Sequence, residues 1–445
     1  MGKELEEVYR KVADIEHQSL NIGIFTDTYF PEVSGVATSI RTLRDELEMR
    51  GHNVYIFTTT SAGLKNKVDE DECIIRFGSI PFISFTDRRI SMRGAAKAQQ
   101  LAKKYKLDII HTQTEFGMGV LGKVTAHTNK IPVLHTYHTL YREYLHYVMN
   151  GKLLKPIHVK LLFKMFLADV YGCICPSRRV EKEVRSYGID KLPLRVIPTG
   201  IDINKFTQDD ALEADKYRCD IREKHGYTDE NIVLLSLGRL SYEKNIQAVI
   251  SALPDMVVAK PEIRLLIVGE GPYHEDLANL ASDLGVEDYV EFVGMINNDE
   301  VNHYYYAADY FVNASTSETQ GLTYSEAMAS SLQVIAHGND YLEDLIDDPS
   351  LGSLFYSDDQ IAQTTLDYID SGIKMDADVL GDKLFEISTT NFGARVEQFY
   401  KETIVDYKNY KFGEKKTILS LPAAFAKIPG KIPGVKKLMK DTKND

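Results

Sequence analysis

Two glutamates, Glu318 and Glu326, stand eight positions apart in the stretch Ser-Thr-Ser-Glu-Thr-Gln-Gly-Leu-Thr-Tyr-Ser-Glu that runs from Ser315 to Glu326. Tyr310–Asn313 before them reads as a short buried strand. Leu322, Ala327, Met328 and Ala329 after them open a helical pattern. Glu318 is therefore expected at a strand's carboxyl end and Glu326 about one turn into the next helix. Loop N–H groups near Gly321, at a helix start, seat phosphate or an electronegative sugar. Two carboxylates on the same seat bind hydroxyls and repel a bare anion, so a nucleotide sugar is the ligand class that suits both. Taken alone, the same spacing also describes a helix cap followed by a solvated helix residue.

Other residues fit that chemistry. Arg239 and Lys244 follow the apolar run Ile232–Leu237, where a strand end faces a helix start, and two cations there would meet phosphates. Gly269-Glu-Gly-Pro follows the run Leu265–Val268, and its glycines, Gly269 and Gly271, would admit close approach of a nucleobase or ribose. In the first half, His111-Thr-Gln-Thr-Glu ends one strand and His135-Thr-Tyr-His ends another. A structural role suits a lone histidine, whereas His138 with converging polar neighbours also suits a ligand contact. The loop from Tyr29 to Thr38, with Gly35 near its end, leads from the first strand into a helix carrying Ile40, Leu43 and Leu47. No Asp-x-Asp stands at a strand end, so a metal site is not expected.

Strands must alternate with helices to place these groups. Apolar runs at Leu20–Asp27, Val54–Phe57, Cys73–Phe77, Leu107–His111, Pro132–His135 and Val170–Cys175 are separated by helix-length segments, including helices expected from about Arg93 and from Gly117. A second such series starts at Ile232 and continues through Val290–Gly294, Tyr310–Asn313 and Gln333–Ala336. Strand–helix alternation of this kind means parallel βαβ units with ligands at the strands' carboxyl ends. An α/β fold of two Rossmann-like, doubly wound domains facing across a cleft follows. The expected division is an extension at 1–19, a first domain at 20–203, a second at 204–391, a returning helix at 392–412 and a lysine-rich tail at 413–445. Residues 203–230 are polar, lack a strand pattern and read as the linker. The first loop lacks Gly-x-Gly-x-x-Gly, so dinucleotide binding is disfavoured.

The 445 residues are 44% hydrophobic and 26% charged, as in an ordinary globular protein. Cys73, Cys173, Cys175 and Cys219 show neither Cys-x-x-Cys nor zinc spacing, which suits free thiols in a reducing cytoplasm. No signal peptide is read at the start, and no apolar run approaches the ~20 residues that span a bilayer. A net charge of −13 disfavours nucleic-acid binding. The charge is unevenly spread, however. Eight Lys/Arg face one acid between Arg76 and Lys106, and six lysines face one acid between Lys427 and Lys443. Lys152, Lys155, Lys160 and Lys164 lie in an apolar stretch without acids, with Leu161, Leu162, Met165 and Phe166 close together. This reads as an interfacial helix dipping its apolar side chains into an anionic membrane, or as a core helix with lysines on its wet face.

The ordered set Phe25-Thr-Asp…Ser34-Gly35-Val, Arg239-x4-Lys244, Gly269-Glu-Gly-Pro and Glu318-x7-Glu326 resembles glycosyltransferase family 4, over about residues 20–410. Within it, Phe25-Thr-Asp-Thr-Tyr-Phe-Pro, Ile109-Ile-His-Thr-Gln-Thr-Glu, His135-Thr-Tyr-His-Thr, Ile197-Pro-Thr-Gly-Ile and Ser317-Glu-Thr-Gln-Gly-Leu-Thr-Tyr are most similar to the diacylglycerol glucosyltransferases of Gram-positive bacteria. The resemblance implies the GT-B fold and retaining, metal-independent transfer without a cofactor. Arg239 and Lys244 would hold the donor diphosphate, approached by Gly35 from the other domain. Glu326 would bind ribose hydroxyls and Glu318 the sugar's hydroxyls. The backbone of Thr319, Gln320, Gly321 and Leu322 would complete that pocket, and His138 would sit near the transferred sugar. Ser34-Gly35 stands where many members have two glycines. The resemblance further implies α-glucose transfer from UDP-glucose to diacylglycerol, by a cytoplasmic enzyme peripheral on the inner face of the cell membrane. The alternatives are another acceptor (a glucosylated diacylglycerol, teichoic acid, a protein glycan or a soluble sugar) and a non-catalytic binding member.

Overall fold

The computed structural model describes residues 18–32, 34–60, 71–78, 80–82, 85–90, 94–138, 156–207, 211–297, 299–318 and 320–410. The expectations for residues 1–17, Lys152, Lys155, Thr319 and the lysine-rich tail lie outside these residues.

Two parallel sheets organise the chain. The first contains β1 (Asn21–Phe25), β2 (Asn53–Thr59), β3 (Ile74–Phe77), β6 (Ile109–Thr112), β7 (Val133–Thr136), β8 (Gly172–Cys175) and β9 (Leu194–Val196), in the order β3-β2-β1-β6-β7-β8-β9. The second contains β10 (Ile232–Leu237), β11 (Ile263–Val268), β12 (Val290–Gly294), β13 (Tyr310–Asn313), β14 (Gln333–His337) and β15 (Gly352–Phe355), in the order β12-β11-β10-β13-β14-β15. The strand order reverses between β1 and β6 in one sheet and between β10 and β13 in the other. In a doubly wound sheet the crevice for ligands opens at such a point, beyond the carboxyl ends. A separate antiparallel hairpin, β4 (Ile80–Phe82) and β5 (Phe85–Ile90), lies within the basic stretch, where no strand was expected.

The strands are apolar throughout because both faces are covered. In β1, Ile22 and Ile24 enter one core and Phe25 the other. In β10, Val233 and Leu235 face one core while Leu234 faces the opposite one. The helices that cover the first sheet include α1 (Gly35–Met49), α2 (Ala95–Lys104), α3 (Gly117–Asn129), α4 (Pro156–Leu167) and α5 (Arg178–Ser186). Those of the second half begin with α6 (Ala211–Lys224), α7 (Ile246–Ala259), α8 (His274–Asp283) and α9 (Val301–Ala307). α10 (Leu322–Ala329), α11 (Asp340–Leu345), α12 (Ile361–Ser371), α13 (Ala377–Ile387) and α14 (Thr389–Tyr410) complete the series.

The stretch expected as a linker is largely helix. α6 shows no clear apolar stripe, so the 3.6-residue period that reveals most helices is missing. Arginines hold it instead: Arg218 and Arg222 meet Asp309 at 2.8 and 2.6 Å, and the Arg222 Nε donates to the Ala307 carbonyl at 2.9 Å. The chain crosses between the halves twice, and the crossings touch. Ile201 N donates to Ile387 O at 2.9 Å and Thr389 N to Ile201 O at 3.0 Å. Gly200 is required there, because a Cβ would stand 2.5 Å from the Ser388 carbonyl oxygen. α14 then returns to the first half, where Phe392, Val396, Phe399 and Tyr400 share a core with Ile22, Ile40, Leu43 and Leu47.

The interfacial expectation for α4 is corrected in part. Phe166 does not face outward: it is 5% exposed, sits in the first core with Phe163 and Leu167, and packs edge-on to His135. Its carbonyl accepts from the buried ammonium of Lys123. Lys160 donates to the Ser186 carbonyl at 2.8 Å, while Lys164, Leu161 and Leu162 remain exposed. Among the described residues no helix is long and apolar enough to cross a membrane.

Candidate functional site

Each side of the crevice is built from loops at strand ends. On the second side, Arg239 follows β10 and is exposed, without a hydrogen bond or ion pair to the described residues. Three residues on, a single turn at Tyr242–Lys244 leads to Asn245, in the left-handed region at φ 54°, and α7. This turn is tied to the loop after β13. Ser317 Oγ donates to the Glu243 carbonyl at 3.1 Å, and the Asn245 amide to the Ala314 carbonyl at 3.3 Å. The tie brings the Lys244 ammonium into an ion pair with the Glu318 carboxylate, both side chains being partly exposed. A cation suited to phosphate and a carboxylate suited to hydroxyls thus stand side by side, each neutralising the other.

Glu326 lies in α10, its Oε2 accepting from the Tyr305 hydroxyl at 2.9 Å. Burial pushes the Glu326 carboxyl above its usual range, against the lowering effects of Tyr305 and Lys205. Gly321 precedes α10 at φ +76°, and a Cβ there would meet the Tyr324 ring at 2.5 Å. Leu322 is the first residue of α10. Gln320 turns away from the loop: its Oε1 accepts from Thr199 N and its Nε2 donates to Thr199 O, both at 2.8 Å. Its side chain is thus committed to the chain crossing, and the Thr199 hydroxyl bonds to Ser39 of α1 at 2.8 Å.

The glycine turn after β11 has a different cause from the one expected. A Cβ on Gly269 would stand 1.9 Å from the Gly238 carbonyl oxygen, and one on Gly271 2.1 Å from that of Leu240. The neighbouring loop's own backbone occupies the space that glycine leaves open. The two loops are also joined by Gly238 N to Val268 O and Leu240 N to Glu270 O, each 3.0 Å.

On the first side, Gly35 opens α1 with nothing within 4 Å of an added Cβ, beside Ser34, whose Oγ accepts from Ala37 N at 3.1 Å. His138 follows β7, and its Nε2 lies 2.6 Å from Gln113 Oε1. An amide oxygen only accepts, so Nε2 carries the proton and Nδ1 is the acceptor. The Gln113 amide nitrogen faces His111 at 3.1 Å, and His111 bonds Thr136 Oγ1 and the Tyr400 hydroxyl of α14, both at 2.7 Å. His135 bonds Thr112 Oγ1 at 2.9 Å and Glu115 at 3.3 Å. Burial, with His135 nearby, holds the His138 imidazole down to about 3, and burial holds His111 well below its ordinary value. His138 is therefore a neutral donor–acceptor, not a cation. Gln113 was visible in sequence only as one of several polar residues after a strand.

One residue had no sequence signal at all. Arg179, in the first turn of α5, donates to the carbonyls of Thr316 and Glu318 at 2.7 and 3.3 Å, reaching from one half into the loop of the other. Among the described residues no three His, Cys, Asp or Glu side chains converge as a metal site.

Residues 33–205 match the profile of Glycosyltransferase Family 4 and residues 218–377 that of Glycosyl transferases group 1. The chain is 47% identical over 433 residues to the alpha-monoglucosyldiacylglycerol synthase of Streptococcus pneumoniae, covering 95% of this chain and 97% of that protein. It is 30% identical over 411 residues to the protein of the same name from Acholeplasma laidlawii, covering 89% and 100%. Among solved structures, an Anabaena HepE protein in complex with UDP superposes with a TM-score of 0.63 at 18% identity, covering 88% of this chain and 99% of that one. Sucrose-phosphate synthase from Thermosynechococcus elongatus gives 0.66 at 19%, covering 87% and 100%. These structural likenesses speak to the GT-B fold alone.

Proposed function

This chain belongs to glycosyltransferase family 4, and from that membership we propose that it moves α-glucose from UDP-glucose to the 3-hydroxyl of 1,2-diacylglycerol at the inner surface of the cell membrane. The observation that carries the proposal is the 47% identity, over nearly the whole length of both chains, to a protein named for making α-monoglucosyldiacylglycerol. The charged groups of the site suit the reaction. In this reading Arg239 and Lys244 stabilise the charge that develops on the departing diphosphate, the main electrostatic task of such a transfer. Glu326 takes the ribose hydroxyls, and Glu318 exchanges its ion pair with Lys244 for the glucose hydroxyls. The backbone from Gly321 to Leu322 and the glycine turn shape the rest of the donor seat, and Gly35 approaches the phosphates from the other side. His138, neutral, offers a hydrogen bond to the transferred sugar and does not act as an acid. Retention follows when the acceptor hydroxyl attacks from the leaving group's side and the departing phosphate oxygen takes its proton. No metal or cofactor is required in this scheme.

The lipid surface is part of the proposal. Leu161 and Leu162 are 52% and 36% exposed on α4 beside Lys164, and this is the face that would rest on anionic headgroups. The test is transfer from radiolabelled UDP-glucose to diacylglycerol in mixed anionic vesicles, with EDTA present and products separated by thin-layer chromatography. One glucolipid, absent with Glu318→Ala, is the expected result. UDP release without a lipid product would reject diacylglycerol and direct the search to a glucosylated lipid, a teichoic acid, a protein glycan or a soluble sugar.

A further inference from the structure

α5 belongs to the first half, where Val180 and Val184 are fully buried in the core. Its other face is basic and meets the second half. Arg178 Nε stands 3.1 Å from Asp344 of α11, and Lys182 Nζ 2.7 Å from Asp340. Both lysine and arginine of these pairs are well exposed, at 70% and 64%, so each pair is a weak, screened contact. The Arg179 contact differs in kind. Its side chain is half-buried and its target is backbone: Nη1 reaches the carbonyl oxygens of Thr316 and Glu318, which flank Ser317. A guanidinium offers several donors in a fixed plane and suits a pair of acceptors better than an ammonium does.

The loop so gripped is the one that aims Glu318. Its other ties come from its own half and from the chain crossing: the Ser317 hydroxyl to Glu243, the Asn245 amide to Ala314 and the Gln320 amide to Thr199. None of these holds the Glu318 backbone itself, whereas Arg179 does. We propose that Arg179 is a positioning residue for the donor's sugar. By clamping the Thr316 and Glu318 carbonyls from the opposite domain, it sets the loop so that the Glu318 carboxylate meets the hexose only when the two domains are docked. The inference rests on the assignment of Glu318 to the donor sugar made above.

A clamp on the sugar-recognising loop affects the sugar and spares the nucleotide, and that separates it from a merely structural role. Binding of UDP and of UDP-glucose to the full-length protein is measured by calorimetry for the native chain, Arg179→Ala, Arg179→Lys and the double variant Arg178→Ala/Lys182→Ala. Arg179→Ala should weaken UDP-glucose binding about tenfold, the equivalent of one charge-assisted hydrogen bond, with UDP binding within about twofold of native. Arg179→Lys, which keeps one donor near the carbonyls, should recover part of the loss. The double variant, lacking only the exposed pairs, should change neither affinity by more than about twofold. Equal losses for UDP and UDP-glucose, or no loss for either, would overturn the proposal. Should Arg179→Ala not fold, Arg179→Lys carries the same test, and an unchanged ratio of the two affinities overturns it again. A native chain that binds UDP but gains nothing from the glucose would instead overturn the assignment of Glu318, and with it the donor reading.

Discussion

The two walls of the crevice are made of opposite materials. The first half brings a network of neutral groups to the crevice: His138, Gln113, His111, Thr136 and Tyr400 form one hydrogen-bonded chain that runs from there to α14. The wall from the second half carries Arg239, Lys244, Glu318 and Glu326, with a cation and a carboxylate already paired. A buried network of neutral groups fixes orientation without imposing charge, whereas exposed charges act on a charged ligand as it arrives. The contrast teaches how the work is divided. In the proposed reading the neutral groups meet the transferred sugar by hydrogen bonds alone, while the charged wall takes the diphosphate, the ribose and the glucose hydroxyls.

The most severe way to break this division is to discharge the second wall. Lys244→Met is expected to lower kcat by about 10²–10³-fold, the usual consequence of removing one preorganised stabiliser of transition-state charge. Thermal unfolding should hardly move, since the Lys244–Glu318 pair is partly exposed. Steady-state kinetics with the lipid acceptor and a melting curve check both halves of the statement. A kcat within tenfold of native would mean that diphosphate stabilisation is not concentrated in Lys244.

The charged wall was also the legible one. Arg239, Lys244, Glu318 and Glu326 fall at strand ends and helix starts, and strand–helix alternation alone places such positions around a crevice. The parallel α/β architecture was legible for the same reason, because strands covered on both faces are apolar runs that stand out from helices. The rest was hidden for physical reasons. α6 is held by Arg–Asp contacts and has no apolar stripe to show a period. Phe166 was misplaced because an apolar residue in an amphipathic helix suits lipid and core equally, and only the fold decides which. Gly269 and Gly271 announced a close approach, but nothing in a sequence tells whether ligand or backbone does the approaching, and here Gly238 and Leu240 do. Arg179 and Gln320 act across the domain boundary, 137 and 121 positions from their partners, a separation at which no periodicity operates.

A milder perturbation addresses the neutral wall. Gln113 is 3% exposed and bridges His111 to His138. Gln113→Leu keeps the volume and removes both bonds, leaving the His138 Nε2 proton without its acceptor. Buried polar groups deprived of partners cost about 1–3 kcal/mol each, so denaturant unfolding should show a loss of that order. If stability were unchanged, the network would be a set of incidental contacts and the neutral wall would lose its claim to rigidity.

A change in slope rather than in magnitude sharpens the comparison most, because the two walls respond to pH with opposite signs. His138 has an imidazole held down to about 3 in the folded chain, by burial first and by His135 second, against an ordinary value of 6.5. Between those values the unfolded chain binds a proton that the folded chain refuses, so stability rises with pH across that window and falls on acidification. One such group contributes at most about 1.4 kcal/mol per pH unit, and His111, displaced in the same direction by burial, acts with it. Glu326 works the other way. Burial raises its carboxyl above 4.5, so the folded chain keeps a proton that the unfolded chain has lost. Its contribution is present at low pH and fades as pH rises through the folded value. Denaturant unfolding from pH 4.5 to 6.5 should therefore show a flatter rise for His138→Asn than for the native chain, and a steeper one for Glu326→Gln at the acid end. Parallel profiles for all three proteins would mean that neither wall carries a displaced titration, and that the difference between them is one of charge at neutral pH alone.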